Sequence, residues 1–231
     1  MIKKWSSKRG ILINMKIIFS KATKRSIILL IITAIIIISV GCIETKENSE
    51  TYTGELKPLK LSKEEEKLIK ATGTQKFLGF EYYLDINKEK EDYRVEYLVE
   101  NYHKGILQPK IFNGSTNITG STGQIVFSTQ NIGQEEERWV LSVINDNSTS
   151  TLSQNIDQPK LNMGETWKPL SSNKEIELDQ PITLGVIARD SGDGILGITE
   201  EVFNDAEQAL EELLTNDYVY LIKIIFTKVE K

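Results

Sequence analysis

Beyond residue 80, apolar and polar residues alternate in short runs separated by turn-forming residues. Such runs cover residues 80–86, 93–99, 139–143, 182–188 and 220–226. A period of two places alternate side chains on one face of a strand, so each run predicts a strand with one face on a core. Residues 124–130 predict a further strand. The pattern predicts a mainly β fold, an antiparallel β-sandwich-like domain.

In two places the spacing of apolar residues changes from that of a strand to that of a helix. Each place predicts one helix. Ser62 and Glu65 match a capping box and predict a short N-terminal helix over residues 63–71, ending near Gly73. Thr199 is a good N-cap, and it predicts one late helix to about Thr215, before the last strand. The segment that follows, residues 218–229, looks buried on both faces.

Clusters of Gly, Asn, Asp and Ser predict the turns between the strands. They lie at residues 113–123, 131–134, 145–150 and 190–194. Residues 44–61 are polar without a clear period, which is typical of a flexible tether.

The first 42 residues have the pattern of an export signal. Lys24 and Arg25 precede an uncharged apolar run of 14 residues, Ile27–Val40, and the run ends at Gly41 and Cys42. A basic segment, a short apolar segment and small residues at a cut site form a secretory signal. Fourteen residues are fewer than the roughly 20 that span a bilayer comfortably.

Ser39-Val40-Gly41-Cys42 resembles the lipobox of bacterial prolipoproteins, although the first position, most often Leu, is Ser here. The resemblance implies cleavage between Gly41 and Cys42 and a diacylglyceryl group on the sulfur of Cys42. Two acyl chains give stable membrane anchoring. The chain is also broadly similar to uncharacterised lipoproteins of low-G+C Gram-positive bacteria, a likeness that supplies no activity.

These observations predict three parts: a lipoprotein signal peptide over residues 1–41, a lipidated cysteine and flexible tether over 42–61, and a single extracytoplasmic domain over 62–231. An uncleaved helical anchor from Ile27 to Ile43 is the alternative. Both place the domain outside, because the positive charges precede the apolar run. Met15 is a second possible start.

Charge argues against nucleic acid as a partner. Residues 1–42 hold eight basic and no acidic residues, which leaves 20 basic and 33 acidic residues and a formal charge of −13 for the rest of the chain. Such a body repels nucleic acid and anionic lipid head groups. The only cysteine is Cys42, so no internal disulfide forms.

Candidates for chemistry are few. His103 is the only histidine, so any nucleophile–histidine pair would have to use it, and neither a histidine-rich nor a cysteine zinc site can form. Residues 190–194, with Glu201 at position twelve, resemble an EF-hand loop, but Gly192 and Gly194 stand where ligands belong. We therefore predict no catalytic residue, no metal and no cofactor.

Other features have ordinary structural interpretations. The Gly114–Gly123 segment predicts a flexible hairpin tip, and Glu135–Glu137 a solvated turn. Aromatic residues could form a platform for a sugar or peptide, although ordinary sandwich packing is the preferred interpretation; they are Tyr82, Tyr83, Tyr93, Tyr97, Tyr102, Trp139 and Trp167.

The leading hypothesis is a non-enzymatic binding or interaction domain held at the membrane by lipid on Cys42. Its ligand could be a protein, a peptide or a glycan. The alternatives are an accessory lipoprotein of a transporter or sensor, an immunity-type lipoprotein, and a hydrolase that uses carboxylates. A pocket that holds His103 beside a serine and a carboxylate would favour an enzyme.

Overall fold

Two antiparallel sheets form the fold. The computed structural model describes residues 52–85, 92–118, 120–133, 135–145, 148–158, 163–192, 194 and 197–229. Within them the elements are, in chain order, β1 (Tyr52–Pro58), α1 (Lys63–Ala71), β2 (Thr74–Leu84), β3 (Asp92–His103), β4 (Ile106–Ile118), β5 (Thr122–Asn131), β6 (Glu136–Asn145), β7 (Ser148–Asp157), β8 (Gly164–Pro169), β9 (Lys174–Glu177), β10 (Pro181–Asp190), a 3-10 helix (Glu200–Asn204), α2 (Glu207–Leu213) and β11 (Tyr218–Val229).

The sheets have six and five strands among the described residues. The six-stranded sheet has the order β7-β6-β5-β2-β1-β9, and the five-stranded sheet the order β4-β3-β11-β10-β8. Their inner faces share one apolar core. Ring contacts join the sheets directly, with centroids 5.6 Å apart for Tyr82 and Phe226 and 5.1 Å apart for Trp139 and Tyr220. The predicted mainly β, sandwich-like fold is confirmed.

Alternating burial in the strands follows the alternating sequence. In β6, Trp139, Leu141 and Val143 are buried, and their neighbours on the other face are more exposed. In β10 every residue from Ile182 to Arg189 is buried. The segment between β10 and β11 contributes to this burial, because Phe203 of the 3-10 helix and Leu213 of α2 join the core.

The first predicted helix is confirmed, and the late helix is shorter than predicted. In α1, Ser62 Oγ accepts the Glu65 N–H, and Glu65 Oε2 accepts the Ser62 N–H. The segment after Thr199 begins as a 3-10 helix, without a side-chain cap from Thr199. Asp205, at φ 53° and ψ 31°, interrupts it before α2. A left-handed residue cannot continue a right-handed helix.

Three segments that predicted irregular structure contain strand. β1 lies within the predicted tether, and its Leu56 is fully buried between β2 and β9. The predicted hairpin tip at Gly114–Gly123 is mostly the end of β4 and the start of β5, and β7 begins inside the third turn cluster. Polar residues and glycines in these segments interrupt the alternation on which the prediction relied.

The sandwich has two ends, which we call the near end and the far end. At the near end β1 begins beside the end of β2, where Gly54 pairs with Leu84. The start of β3 lies there too, because Val95 pairs with Phe226, whose ring contacts Tyr82 near the end of β2. The far end carries the turn between β3 and β4. No helix in the described part of the chain is long and apolar enough to cross a bilayer.

Candidate functional site

The far end brings together three segments that are distant in sequence: the β3–β4 turn, the loop after β10 and the turn before β11. Asp217 connects them. The backbone carbonyl of Asp217 accepts the Lys104 N–H at 2.8 Å. Its carboxylate accepts the backbone N–H and the hydroxyl of Ser191 at 3.0 and 2.5 Å. The sequence indicated only that Asp217 follows a helix.

The β3–β4 turn is short and well defined. His103 pairs with Ile106, and the two residues between them, Lys104 and Gly105, have φ angles of 51° and 75°. Two successive positive φ angles characterise a type I′ turn, whose twist matches that of the flanking strands. The turn presents Ile106 and Leu107 to solvent, with 67% and 56% of their surfaces exposed.

A concavity of about 620 Å³ lies between this turn and the end of α2. Its lining residues are Lys104, Gly105, Glu211, Leu214, Thr215 and Asp217. Hydrogen bonds from Ser191, with smaller contributions from Lys104 and His103, hold the pKa of Asp217 below its ordinary value. The carboxylate is therefore ionised at neutral pH.

Serine, carboxylate and histidine approach one another here, but in an order that differs from a catalytic triad. Ser191 Oγ donates directly to Asp217 Oδ2. The His103 ring stacks on Tyr218, with centroids 4.6 Å apart and planes 11° from parallel. In a triad the imidazole lies between the hydroxyl and the carboxylate and takes the hydroxyl proton. Among the described residues no hydrogen bond joins His103 to Ser191.

The loop after β10, considered above as a cation loop, has its first carboxylate occupied by backbone groups. Asp190 Oδ1 accepts the Gly192 N–H at 2.6 Å, and Oδ2 accepts the Asp217 N–H at 3.2 Å. Asp190 thus shapes the loop. The described residues contain no group of three His, Cys, Asp or Glu side chains arranged to hold a metal ion. Asp193 and Ile195 of this loop lie outside the described residues.

Four charged side chains form what we call the ion quartet: Lys76, Glu137, Glu165 and Arg189. Lys76 Nζ lies 3.2 Å from Glu137 Oε1 and 2.7 Å from Glu165 Oε1. Arg189 lies 2.8 Å from Glu137 Oε2 and 2.7 Å from Glu165 Oε2. Lys76 and Glu137 belong to the six-stranded sheet and the other two to the five-stranded sheet, so the quartet links the sheets.

In the ion quartet, burial disfavours the charged forms of the side chains, whereas the neighbouring opposite charges favour them. Glu137 is fully buried, which disfavours its ionised form, but Lys76 and the indole N–H of Trp139 outweigh this and lower the pKa of Glu137. Burial acts against the charge of Arg189 as well, yet Glu165 and Glu137 raise its pKa. The Tyr220 ring lies 5.5 Å from the guanidinium carbon. Glu137 and Arg189 are therefore both charged in the folded protein.

The structure contradicts part of two predictions about individual residues. The solvated turn at Glu135–Glu137 is wrong for its last residue, because Glu137 is the second residue of β6 and its side chain is buried on the inner face. The aromatic platform is wrong for most of its members, since Tyr82, Tyr93, Tyr97 and Trp139 are buried in the core.

The remaining aromatic residues lie apart from one another. Tyr83 on β2 and Trp167 on β8 are 41% and 38% exposed, on different sheets. Tyr83 lines a second concavity of about 330 Å³ at the near end with Glu81, Thr122 and Gln124. Tyr102 donates to Glu100, and burial together with that carboxylate raises the pKa of Tyr102 to about 12.

The sequence analysis missed the quartet and the exposed pair Ile106 and Leu107. Arg189 offered a signal, because it ends an otherwise apolar run, and a charge there requires a partner. The predicted lipidation and cleavage positions, Cys42 and Gly41, lie outside the described residues. A family model described as the YgaN domain matches residues 55–226. No curated protein and no solved structure matches the chain.

Proposed function

We propose that this chain, which belongs to the YgaN domain family, is a lipoprotein held at the outer face of the cell membrane, where its sandwich binds a protein partner. The family match covers 172 of the 231 residues, from β1 to β11. The match identifies the family of the domain. The lipid anchor and the binding role are what we propose in addition.

The anchor rests on sequence. The apolar run Ile27–Val40, the basic residues before it and Cys42 directly after it have the order that lipoprotein export requires. Cys42 stands ten residues before β1, and ten extended residues reach about 33 Å. Lipid on Cys42 would tether the domain from its near end.

One observation carries the binding role: Ile106 and Leu107, the first two residues of β4 after the far-end turn, have exposed aliphatic side chains, one on each face of the strand. β3 runs twelve residues from the near end to this turn, about 40 Å at 3.3 Å per residue. Because the turn is bonded to Asp217, Ile106 and Leu107 are held outward. Burying such side chains against a partner contributes about 1.5–3 kcal/mol each.

The surroundings of the pair favour a protein as the partner. Leu214 adds an apolar side chain to the concavity beside the turn, and Lys104 and Glu211 give its lining opposite charges. Protein–protein interfaces combine apolar side chains with polar and charged ones in this way. We propose that the far end contacts another protein outside the membrane.

The test is capture of a partner by the tagged full chain from detergent-solubilised membranes, quantified by mass spectrometry. We expect one partner in stoichiometric amount. The double variant Ile106→Ser/Leu107→Ser should lower its recovery at least tenfold, which corresponds to about 1.4 kcal/mol of binding free energy.

The matched control is Tyr83→Ser, which removes an exposed ring from the near end and should leave recovery unchanged. Thermal unfolding of both variants shows that each is folded. Equal recovery with the double variant, or loss with Tyr83→Ser alone, would contradict binding at the far end.

A further inference from the structure

Each sheet has two edge strands. Among the described residues, no further strand pairs with the outer side of any of these four strands. Natural proteins protect such edges with short strands, Pro, charged residues or bulges. β4 contains Pro109 and Lys110 and lies opposite a register shift in β3. β8 is six residues long and ends in Lys168 and Pro169, and β9 has only four residues, three of them charged.

The fourth edge, β7, has none of these protections in its own sequence, and β4 of the other sheet approaches it from one face. It is ten residues long and pairs with β6 along its whole length without a register shift. Its sequence, STSTLSQNID, contains no Pro, no Gly and no charge before Asp157. Most of its side chains are exposed. A long, regular, uncharged edge is a template for another strand.

We propose that β7 pairs antiparallel with β7 of a second copy of this chain, joining two six-stranded sheets across a two-fold axis. Like strands that pair antiparallel form a self-complementary contact, as a two-fold dimer requires. Outside residues 1–42 the chain carries a formal charge of −13, so two copies repel each other over most of their surfaces. β7 carries a single charge, Asp157 at its end, and so adds little to this repulsion.

The faces of the strand restrict the register to those centred on a residue, and of these we propose the one centred on Ser153. Leu152 pairs with the buried Leu141 and packs against the core, so the even-numbered residues of β7 face inward. Residues opposite each other in a sheet share a face. A register centred on Ser153 pairs Thr149–Asp157 with itself, sets Thr151 against Asn155, and places Asp157 against Thr149. No two carboxylates are opposite each other.

The hydroxyl and amide side chains suit this contact. Thr151, Ser153 and Asn155 are exposed on the outer face, where they could hydrogen-bond across the new strand pair. On the inner face the partner strand would cover Leu152 and Ile156, which are only partly buried at the edge of the core. The pairing extends both faces of the sandwich.

Cysteine cross-linking of the full chain in its membranes tests the pairing. Ser153 lies on the two-fold axis, so Ser153→Cys should give a disulfide-linked dimer on mild oxidation, seen at twice the mass on a non-reducing gel. Leu68→Cys is the control, because Leu68 is exposed on α1 and away from β7. Cys42 is present in both variants and contributes equally. A band of equal strength with Leu68→Cys would overturn the proposal.

A charge exchange then tests the register. Added to Ser153→Cys, the pair Thr151→Lys/Asn155→Lys sets lysine against lysine, and the dimer band should fall at least tenfold. Thr151→Glu/Asn155→Glu should do the same. Co-expression of the two should restore the band, because each lysine then faces a glutamate. Failure to restore it, or cross-linking of the introduced thiol to a protein of another mass, would overturn the second copy as the partner.

Discussion

The carboxylate of Glu137 is fully buried, although Glu135 and Glu136, just before it, are exposed. It accepts hydrogen bonds from Trp139, Lys76 and Arg189 at 2.8–3.2 Å. A buried carboxylate is tolerated only when it is paired and hydrogen-bonded. Removing this one charge would leave Lys76 and Arg189, both buried, to share the partly exposed Glu165.

At this scale we predict that Glu137→Gln lowers the free energy of unfolding by about 3 kcal/mol, because breaking a buried ion pair leaves an uncompensated charge. Urea unfolding at pH 7 measures the change. Glu136→Gln, one residue earlier and exposed, is the control and should change stability by less than about 0.5 kcal/mol.

The same substitution should flatten the pH dependence of stability. The pKa of Glu137 is lowered in the folded protein from its ordinary 4.5, so the unfolded chain binds the proton more readily. Its stabilisation is therefore complete above the ordinary pKa and is lost as the pH falls through the folded-state pKa. The parent should lose more stability than Glu137→Gln on going from pH 6 to pH 3. Parallel curves for the two proteins would contradict this assignment.

Among the elements, α1 depends on its cap more than on packing. No residue of α1 is buried, and Leu68 is 69% exposed. The capping box satisfies two backbone N–H groups at the first turn, and Glu64, Glu65 and Glu66 suit the positive end of the helix dipole. Short helices without tertiary packing are marginal in water. Local opening of α1 should therefore be separable from global unfolding.

We predict that Ser62→Ala speeds amide hydrogen exchange in the first turn of α1 about fivefold, since the loss of a serine cap costs about 1 kcal/mol. Exchange in β2 and β5 should stay unchanged. Ser142→Ala on the outer face of β6 serves as the control. A matching loss of protection in the core strands would mean that α1 unfolds only with the whole domain.

At the scale of the whole molecule, the order of charged and apolar segments along the chain bears on which side of a membrane the domain would lie. A basic segment precedes one apolar run, and the acidic remainder of the chain includes the domain. Positive charge before an apolar run keeps that side in the cytoplasm. The proposed lipid on Cys42 would therefore hold the domain outside, where its far end can meet a partner.

We predict that Cys42→Ser abolishes labelling with radioactive palmitate and releases or misprocesses the protein in membrane fractions. A thioether-linked diacylglyceryl group needs the sulfur, which serine lacks. Ser49→Ala, in the predicted tether, is the control and should label normally. A Cys42→Ser protein that stays on membranes like the parent would favour the helical anchor.

Much of the β fold could be predicted from patterns among residues that are neighbours in the sequence. β3 and β6 were predictable because their apolar residues recur every second position, and α1 because Ser62 and Glu65 have capping-box spacing. β4 and β7 were not, because Gly, Asn, Ser and Thr in them are equally compatible with turns. β1 was missed for a similar reason, since only Leu56 carries strong apolar character there.

The candidate site was harder to predict from the sequence than the strands were. Each of its parts, the Lys104–Gly105 turn, the loop at Ser191 and Asp217, is an ordinary turn by itself. They meet because β3, β10 and β11 are neighbours in one sheet, and β3 and β11 pair residues that lie more than 100 positions apart. Periodicity carries no information about which strands pair.

By itself, the sequence determined the strands with alternating burial, the capped helix, the acidic balance of the domain and the order of leader, run and Cys42. These depend on neighbours along the chain. Only the tertiary structure decided that Glu137 is buried between two cations, that Asp217 joins three segments, and that β7 lies at the edge of its sheet. Each of these depends on strand order and on the packing of two sheets, which bring together charges and backbone groups from distant positions.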